Sequence, residues 1–508
     1  MKQIVIFKVF IITIFTSVFH SCEKNGSLQI EDRTPHLSCF SFLAEDNPAV
    51  IISDINGEII GDSIVICWIR YIVENKELIP NIKYDGDTLY INGDIVSKES
   101  RRTIDFSKPT QILIKTKNEE KRYTIYLYAF TGLPVVWIET ENRQEIVSKE
   151  DYVKASFRLV EDVVTRSAGD IIEDSVLIKG RGNSSWQMPK RAYRLKFDRK
   201  VSLIDEPSDK SWVLIPNYSD KTSLRNALGF YMGRQSMIEY TPRFHFVELM
   251  LNGRYHGLYQ LCEKIKASEN RVNVGKEGYV MEIDFRADSE NDSRFFRVPH
   301  IENAINIKEP DVEYGDVSFN LIQSYINEVD SVLFCDNFKD SISGWQKYLD
   351  VNSFVDWYLI NEISNNTDAR QTSSIYLNYS IGGKLKMGPL WDFDIAFGNC
   401  SYRYSHEGFW IREGQWYSRL FEDPFFVEKV KERFDFFYEK KNLFQSYIND
   451  MSNYLRYSVQ ENENRWGTLY EYTWTNYDIW GSYQNEIQSL KIWIDRRFEW
   501  LKYQFDNM

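Results

Sequence analysis

Apolar and polar positions follow two rhythms along this chain. Val351, Phe354, Val355, Tyr358, Leu359 and Ile363 recur at helical spacing, which predicts a helix with one apolar face. The polar run 365–374 cannot extend that face. Residues 375–379 then alternate with the period of a strand, Gly382-Gly383 is a hairpin turn signal, and 384–387 returns as a second strand. A loop rich in Gly, Pro and aromatic residues follows, over 388–398.

Upstream, short β runs dominate: 37–43, 49–53, 63–70, 88–91, 111–115 and 123–130, with turn signals at Gly57 and at Asn92-Gly93. Their spacing predicts a small Ig-like β-sandwich over 35–132, a spacer or a partner-binding module. Gly132-Leu133-Pro134 marks its end, and a mixed αβ domain is expected over 135–505. In that domain 176–180 and 192–197 are expected as strands, and 244–251 and 255–261 as a hairpin about Asn252-Gly253. A helix capped by Ser219 or Asp220 should run to about Gln235. Residues 286–310 are polar and irregular, a candidate lid. Helical patterns cover 316–333, 421–438, 443–457 and 483–503, with Trp466, Trp474 and Trp480 expected in loops.

Two loops in this layout offer carboxylates. Asp392 and Asp394 sit two apart among Trp391, Phe393 and Phe397; Asp368 lies on the loop after the predicted helix. Mg²⁺ takes one or two carboxylates and keeps other positions for phosphate, which suits Asp392 and Asp394 as metal ligands. Asp368 is placed to orient a hydroxyl nucleophile. The order helix, loop with an acid, hairpin, metal-type Asp is that of the catalytic half of protein kinases. The bland alternative is that all three acids cap turns. On the N-terminal side, the loop Arg181-Gly182-Asn183-Ser184-Ser185-Trp186 can offer backbone N–H groups to phosphate, and Lys190, Arg191, Arg194 and Lys196 add positive charge. Glu263 falls where a hinge would meet an adenine.

Four ordered motifs carry a resemblance. Ile178-Lys179-Gly180-Arg181-Gly182-Asn183-Ser184-Ser185-Trp186, followed by Pro189-Lys190-Arg191-Ala192-Tyr193-Arg194-Leu195-Lys196, is the first. Tyr218-Ser219-Asp220-Lys221-Thr222-Ser223-Leu224-Arg225-Asn226 and Gly257-Leu258-Tyr259-Gln260-Leu261-Cys262-Glu263 come next. Gly388-Pro389-Leu390-Trp391-Asp392-Phe393-Asp394-Ile395-Ala396-Phe397-Gly398 completes the set. Over about 135–400 the chain resembles the CotH kinase family, named for a spore-coat protein. The resemblance implies a two-lobed atypical secretory protein-kinase-like fold that uses ATP with Mg²⁺ or Mn²⁺ to phosphorylate Ser or Thr. Asp368 would be catalytic, Asp392 and Asp394 would hold the metal, and Arg181, Asn183, Ser184, Lys190, Arg194, Lys196 and Glu263 would hold the nucleotide. Two departures stand out. Ser373 occupies the place of the second metal ligand, an Asn in kinases, and the helix after Asp220 offers Arg225 and Asn226 but no Glu to pair with a strand Lys.

Composition narrows the setting. The net charge of −13 over 508 residues, with no Lys/Arg-rich block, argues against nucleic acid as a partner. The N-terminus carries Lys2 and Lys8 and an apolar run to Phe19, then Ser21-Cys22. This resembles a lipoprotein signal: residues 1–21 removed, Cys22 lipidated, 22–34 a tether, and the protein held by a membrane anchor at the bacterial cell envelope, on the outer membrane or cell surface. The remaining cysteines are scattered, and no Cys/His cluster suggests zinc; Cys39 and Cys67 lie in strand-like runs and are expected either to pair or to be buried free thiols. The aromatic fraction of 15% also suits a glycan-binding surface. A protein kinase is thus the leading expectation. Its rivals are a non-catalytic interaction protein on a kinase scaffold and a cell-surface glycan-binding protein.

Overall fold

The computed structural model describes residues 34–508 except 52, 71–74, 98–99, 164–170, 288–293, 372 and 415. The expected signal, the lipidation site Cys22 and all but the last residue of the tether lie outside the described residues.

The N-terminal region is all β. A three-stranded sheet and a six-stranded sheet enclose one core that includes Phe40, Phe42, Ile69, Phe106 and Ile125. The strand Glu120–Phe130 alternates buried and less buried positions, as a strand lying between a core and a second surface must. Of residues 49–53, the described ones (49–51 and 53) form no strand. Asn47 is buried, donates to the Leu43 and Ile79 carbonyls and accepts from the Ile79 N–H, so the segment winds in turns around it.

The outer face of the six-stranded sheet is apolar too. Ile66 and Trp68 pack with Val135, Trp137, Val160 and Met250 of the next region, and the Trp68 and Trp137 rings meet edge to face at 6.0 Å. Arg158 and Glu58 pair at 2.5 Å beside this seam.

The next seven strands close into a barrel. Its order is Val135–Thr140, Val153–Val160, Ile171–Arg181, Ala192–Val201, Asp209–Ile215, Arg254–Glu263 and Phe244–Leu251. Closure comes from parallel pairing of Val135 with Glu248 through Ile138 with Leu251. Ile138, Phe157, Ile178, Leu195, Trp212 and Tyr259 fill the interior. The hairpin about Asn252-Gly253 is present, with Asn252 at φ +51°.

Beyond the barrel lies a five-stranded sheet in which Tyr279–Asp284 is central, flanked by Ala304–Glu309 and Ile375–Tyr379. Helices pack around the helix Val351–Ile363. That helix was expected to bury one face; it is buried all round from Ser353 to Ile363. Its acids have matched partners. Asp356 accepts from Arg433 and from the Met237 N–H, both at 2.7 Å, and Glu362 pairs with Arg497 at 2.8 Å. Asp350 caps the helix by accepting from the Ser353 N–H.

The expected C-terminal helices are observed as Pro424–Glu439, Lys441–Trp466 and Tyr483–Asp506. Trp466 therefore ends a helix, closed by Gly467 at φ +62°. No disulfide joins the described cysteines. Among the described residues no helix is long and apolar enough to cross a membrane. The mixed α+β class stands, with a closed barrel on the N-terminal side of the cleft described next.

Candidate active site

A cleft of about 1080 Å³ runs between the barrel and the five-stranded sheet. One wall is acidic. Trp391 and Phe393 are buried while Asp392 and Asp394 are half-buried, so alternation along the loop sends rings inward and acids outward. Asp392 sits in left-handed backbone, φ +64°, which the loop must fix from outside. Three asparagines do so. Asn366 Nδ2 donates to the Asp392 carbonyl (3.0 Å), Asn226 Oδ1 accepts from the Phe393 N–H (2.8 Å), and Asn399 Nδ2 donates to the Asp394 carbonyl (2.7 Å). Phe393 presses on the helix Arg225–Arg234 at Gly229, where a Cβ would lie 2.4 Å from the ring. A glycine is required there.

The two acids each bind one hydroxyl. Ser374 donates to Asp392 Oδ2 and Ser219 to Asp394 Oδ2, both at 3.0 Å. Asp368 opens the short helix Asp368–Gln371 and faces the same cleft. Burial pushes the Asp394 carboxyl well above its usual range, and the neighbouring Asp392 and Asp368 charges push it further. A cation would relieve that repulsion. Among the described residues no group of three or more His, Cys, Asp or Glu is arranged to hold a metal by itself. Two carboxylates completed by phosphate oxygens and water are the pattern Mg²⁺ takes, so Asp392 and Asp394 fit such an ion.

The opposite wall is cationic. Lys179 and Arg194 are cross-strand partners in the barrel. Arg181 lies over the Trp391 ring at 5.2 Å. Gly182, at φ +87°, turns the chain so that Asn183 and Ser184 line the cleft. Lys264 completes this wall; burial, and then the charge of Arg194, pull its pKa down to about 7. Lys308 bridges to the acidic side by pairing with Glu282 at 3.1 Å, and Glu282 also accepts from the Ser374 N–H at 2.8 Å. Ser373 is nearly buried beside these groups.

The structure therefore brings together Asp368, Asp392, Asp394, Arg181, Asn183, Ser184 and Arg194. Three expected residues are not among the cleft's lining. Lys190 is buried elsewhere, where its Nζ donates to the Pro216, Leu258 and Asn462 oxygens. Burial lowers it to about 7, and three acceptors match its three N–H bonds. Glu263 is fully buried behind the strand, accepting from Tyr240 Oη and from Arg243 at its N–H, Nε and Nη2. Lys196 shares the face of Arg194 but lies two residues further out, exposed, 6.0 Å from the Tyr152 ring.

Other cleft residues were not singled out from the sequence. Lys264 follows Glu263 directly and points the other way, as strand parity implies. Tyr402 and Trp474, both 62% exposed, form the outer lip beside the acids; Trp474 lies in a loop as expected, and no local pattern marks Tyr402.

Residues 178–501 match the family model described as CotH kinase protein. No curated protein matches the chain. A crystal structure from Bacteroides thetaiotaomicron, provisionally described as a glycoside hydrolase, shows 10% identity over 57% of this chain and 82% of its own. Its TM-score of 0.20 is too low to bear on fold or function.

Proposed function

We propose, from the premise that the chain belongs to the CotH kinase protein family, that it transfers the γ-phosphoryl group of ATP to serine or threonine hydroxyls. The observation that carries this reading is the opposition of two walls across one cleft. Asp368, Asp392 and Asp394 face Lys179, Arg181, Arg194 and Lys264. Such a site suits phosphoryl transfer, which needs in-line positioning and charge neutralisation and no protein nucleophile. The barrel and the helical body would serve as the two lobes.

The cationic wall and the Asn183–Ser184 turn hold the triphosphate. Asp392 and Asp394 would hold Mg²⁺ or Mn²⁺, which would supply charge neutralisation for the phosphates. Asp368 accepts a hydrogen bond from the acceptor hydroxyl. As that oxygen bonds to the γ-phosphorus, the bond to the β–γ bridging oxygen breaks and ADP leaves with its electron pair. The hydroxyl proton passes to Asp368.

One observation favours a second reading. Ser373 lines the cleft where kinases use an amide for a second metal. Nucleotide binding without turnover would make the protein a non-catalytic interaction module, and glycan binding at the aromatic lip is its variant for a cell-surface partner. In either case the Ser21-Cys22 signal supports export and lipid anchoring at the cell envelope.

The test is phosphate transfer from labelled ATP with Mg²⁺ and then Mn²⁺, wild type against Asp392→Ala. Transfer that Asp392→Ala abolishes is expected. Binding of ATP with no transfer by the wild type to any acceptor, itself included, moves the conclusion to the second reading.

A further inference from the structure

The segment 467–482, between the two longest helices, contributes to none of the motifs. It nevertheless reaches the acidic wall. Asn476 is 1% exposed, and its Nδ2 donates to the Ser219 carbonyl (2.7 Å) and to Asn399 Oδ1 (2.9 Å). Asn399 Nδ2 donates to the same Ser219 carbonyl (3.1 Å) and to the Asp394 carbonyl (2.7 Å). The Ser219 hydroxyl then donates to Asp394 Oδ2. Four residues from three distant segments thus close one buried ring around a single carboxylate.

The same segment is fastened at its other end. Lys221 Nζ donates to the Thr468 and Glu471 carbonyls, and Glu463 accepts from the Thr468 and Leu469 N–H groups. Beside Asn476, the Ser401 N–H donates to the Thr475 carbonyl at 2.9 Å. The motif 218–226 is therefore a hub. Ser219 holds Asp394, Lys221 holds the C-terminal segment, and Asn226 holds the Phe393 backbone.

We propose that Asn476 is a positioning residue that sets the angle at which Asp394 presents its carboxylate to the nucleotide-bound cation. The proposal rests on the metal reading given above. Two N–H donors fix the Ser219 carbonyl, and with it the direction from which the Ser219 hydroxyl meets Asp394. Removing the Asn476 amide leaves two buried acceptors short of a donor, and the ring must shift to recover one. Asp394 then faces the cleft at a poorer angle, although the residue itself is unchanged. Partners of this kind govern metal affinity in other sites.

The experiment uses the full chain, a non-hydrolysable ATP analogue and Mn²⁺. Calorimetry gives analogue affinity across a Mn²⁺ titration for wild type, Asn476→Asp, Asn476→Ser and, as a control, the exposed loop residue in Tyr470→Ala. Asn476→Asp keeps the shape and loses the donors; Asn476→Ser keeps a donor and folds more tolerantly. The half-saturating Mn²⁺ concentration should rise about 10-fold or more in Asn476→Asp and less in Asn476→Ser. Metal-free analogue affinity and Tyr470→Ala should match wild type. A Mn²⁺ curve unchanged in both Asn476 variants, in a wild type that needs Mn²⁺, overturns the positioning role alone. A wild type whose analogue binding ignores Mn²⁺ overturns the metal reading and this proposal with it. If Asn476→Asp does not fold, the Asn476→Ser curve decides in the same way.

Discussion

The two walls of the cleft are built on different principles. The acidic wall is a loop held by side chains from elsewhere: Asn226, Asn366 and Asn399 each bind its backbone, and Ser219 and Ser374 each bind one carboxylate. The cationic wall is a surface of the barrel, where strand pairing places Lys179 opposite Arg194 and no comparable set of clamps is needed. A carboxylate that must meet a cation is sensitive to angle; on the other wall Lys179 and Lys264 act as point charges, and four cations share the load of a polyphosphate. The first wall should therefore fail sharply when one residue changes, and the second should fade gradually.

Substituting the acids gives the largest expected break, and Asp368→Ala beside Asp392→Ala separates their roles. If Asp368 acts on the acceptor alone, turnover should fall about 10²–10⁴-fold, as for general acid–base groups. Nucleotide affinity should stay near that of wild type, whereas Asp392→Ala should lose both. Calorimetry beside single-turnover transfer separates the two. Equal loss of affinity in both variants would show that the acids work as one set.

The acidic wall also depends on the helix behind it. The Phe397 N–H donates to the Ser364 carbonyl just past the helix end, and Arg497 donates to the Glu362 carbonyl and carboxylate with both groups fully buried. Glu362 further accepts from the Trp410, Ile411 and Arg412 N–H groups. Glu362→Ala leaves a buried guanidinium without its counter-charge, which should cost about 3–5 kcal/mol of stability. Denaturant unfolding measures this. A loss below about 1 kcal/mol, the level of surface pairs, would mean that water replaces the carboxylate.

The same contrast explains what was legible beforehand. Trp391-Asp392-Phe393-Asp394 alternates apolar and charged residues, and that period alone places both acids on one side. The helix Val351–Ile363, the hairpins and the long C-terminal helices were readable from spacing and turn residues. Lys190 was not, because its acceptors on Pro216, Leu258 and Asn462 are brought together only by the fold. A lysine among other basic residues gives no sign that it is buried. Glu263 and Lys264 show how narrow the margin is: of two adjacent residues, the one named from the sequence is buried among Tyr240 and Arg243, and its neighbour lines the cleft. Barrel closure, through the pairing of Val135 with Glu248, leaves no local trace, and neither does the approach of Asn476 to Ser219.

The smallest expected effect tests the gradual wall. Lys264 has a folded pKa of about 7, below its ordinary value, through burial and the charge of Arg194. The unfolded chain therefore binds more protons than the folded one from about pH 7 up to the ordinary lysine range, and this residue's contribution makes stability rise with pH across that window. Nucleotide binding should run the other way. Below about pH 7 the ammonium is present to meet the phosphates; above it, binding must first take up a proton. Analogue affinity should weaken by up to about 10-fold for each pH unit above 7, less if the amine stays partly neutral in the complex. In Lys264→Met the slope assigned to this group should vanish. In Lys196→Met, on an exposed lysine outside the cleft, both slope and affinity should remain. Isothermal titrations at pH 6, 7, 8 and 9 in two buffers of different ionisation enthalpy read the proton uptake directly. An unchanged slope in Lys264→Met would assign the titration to another group, and a loss in Lys196→Met would extend the cationic wall outward along its strand.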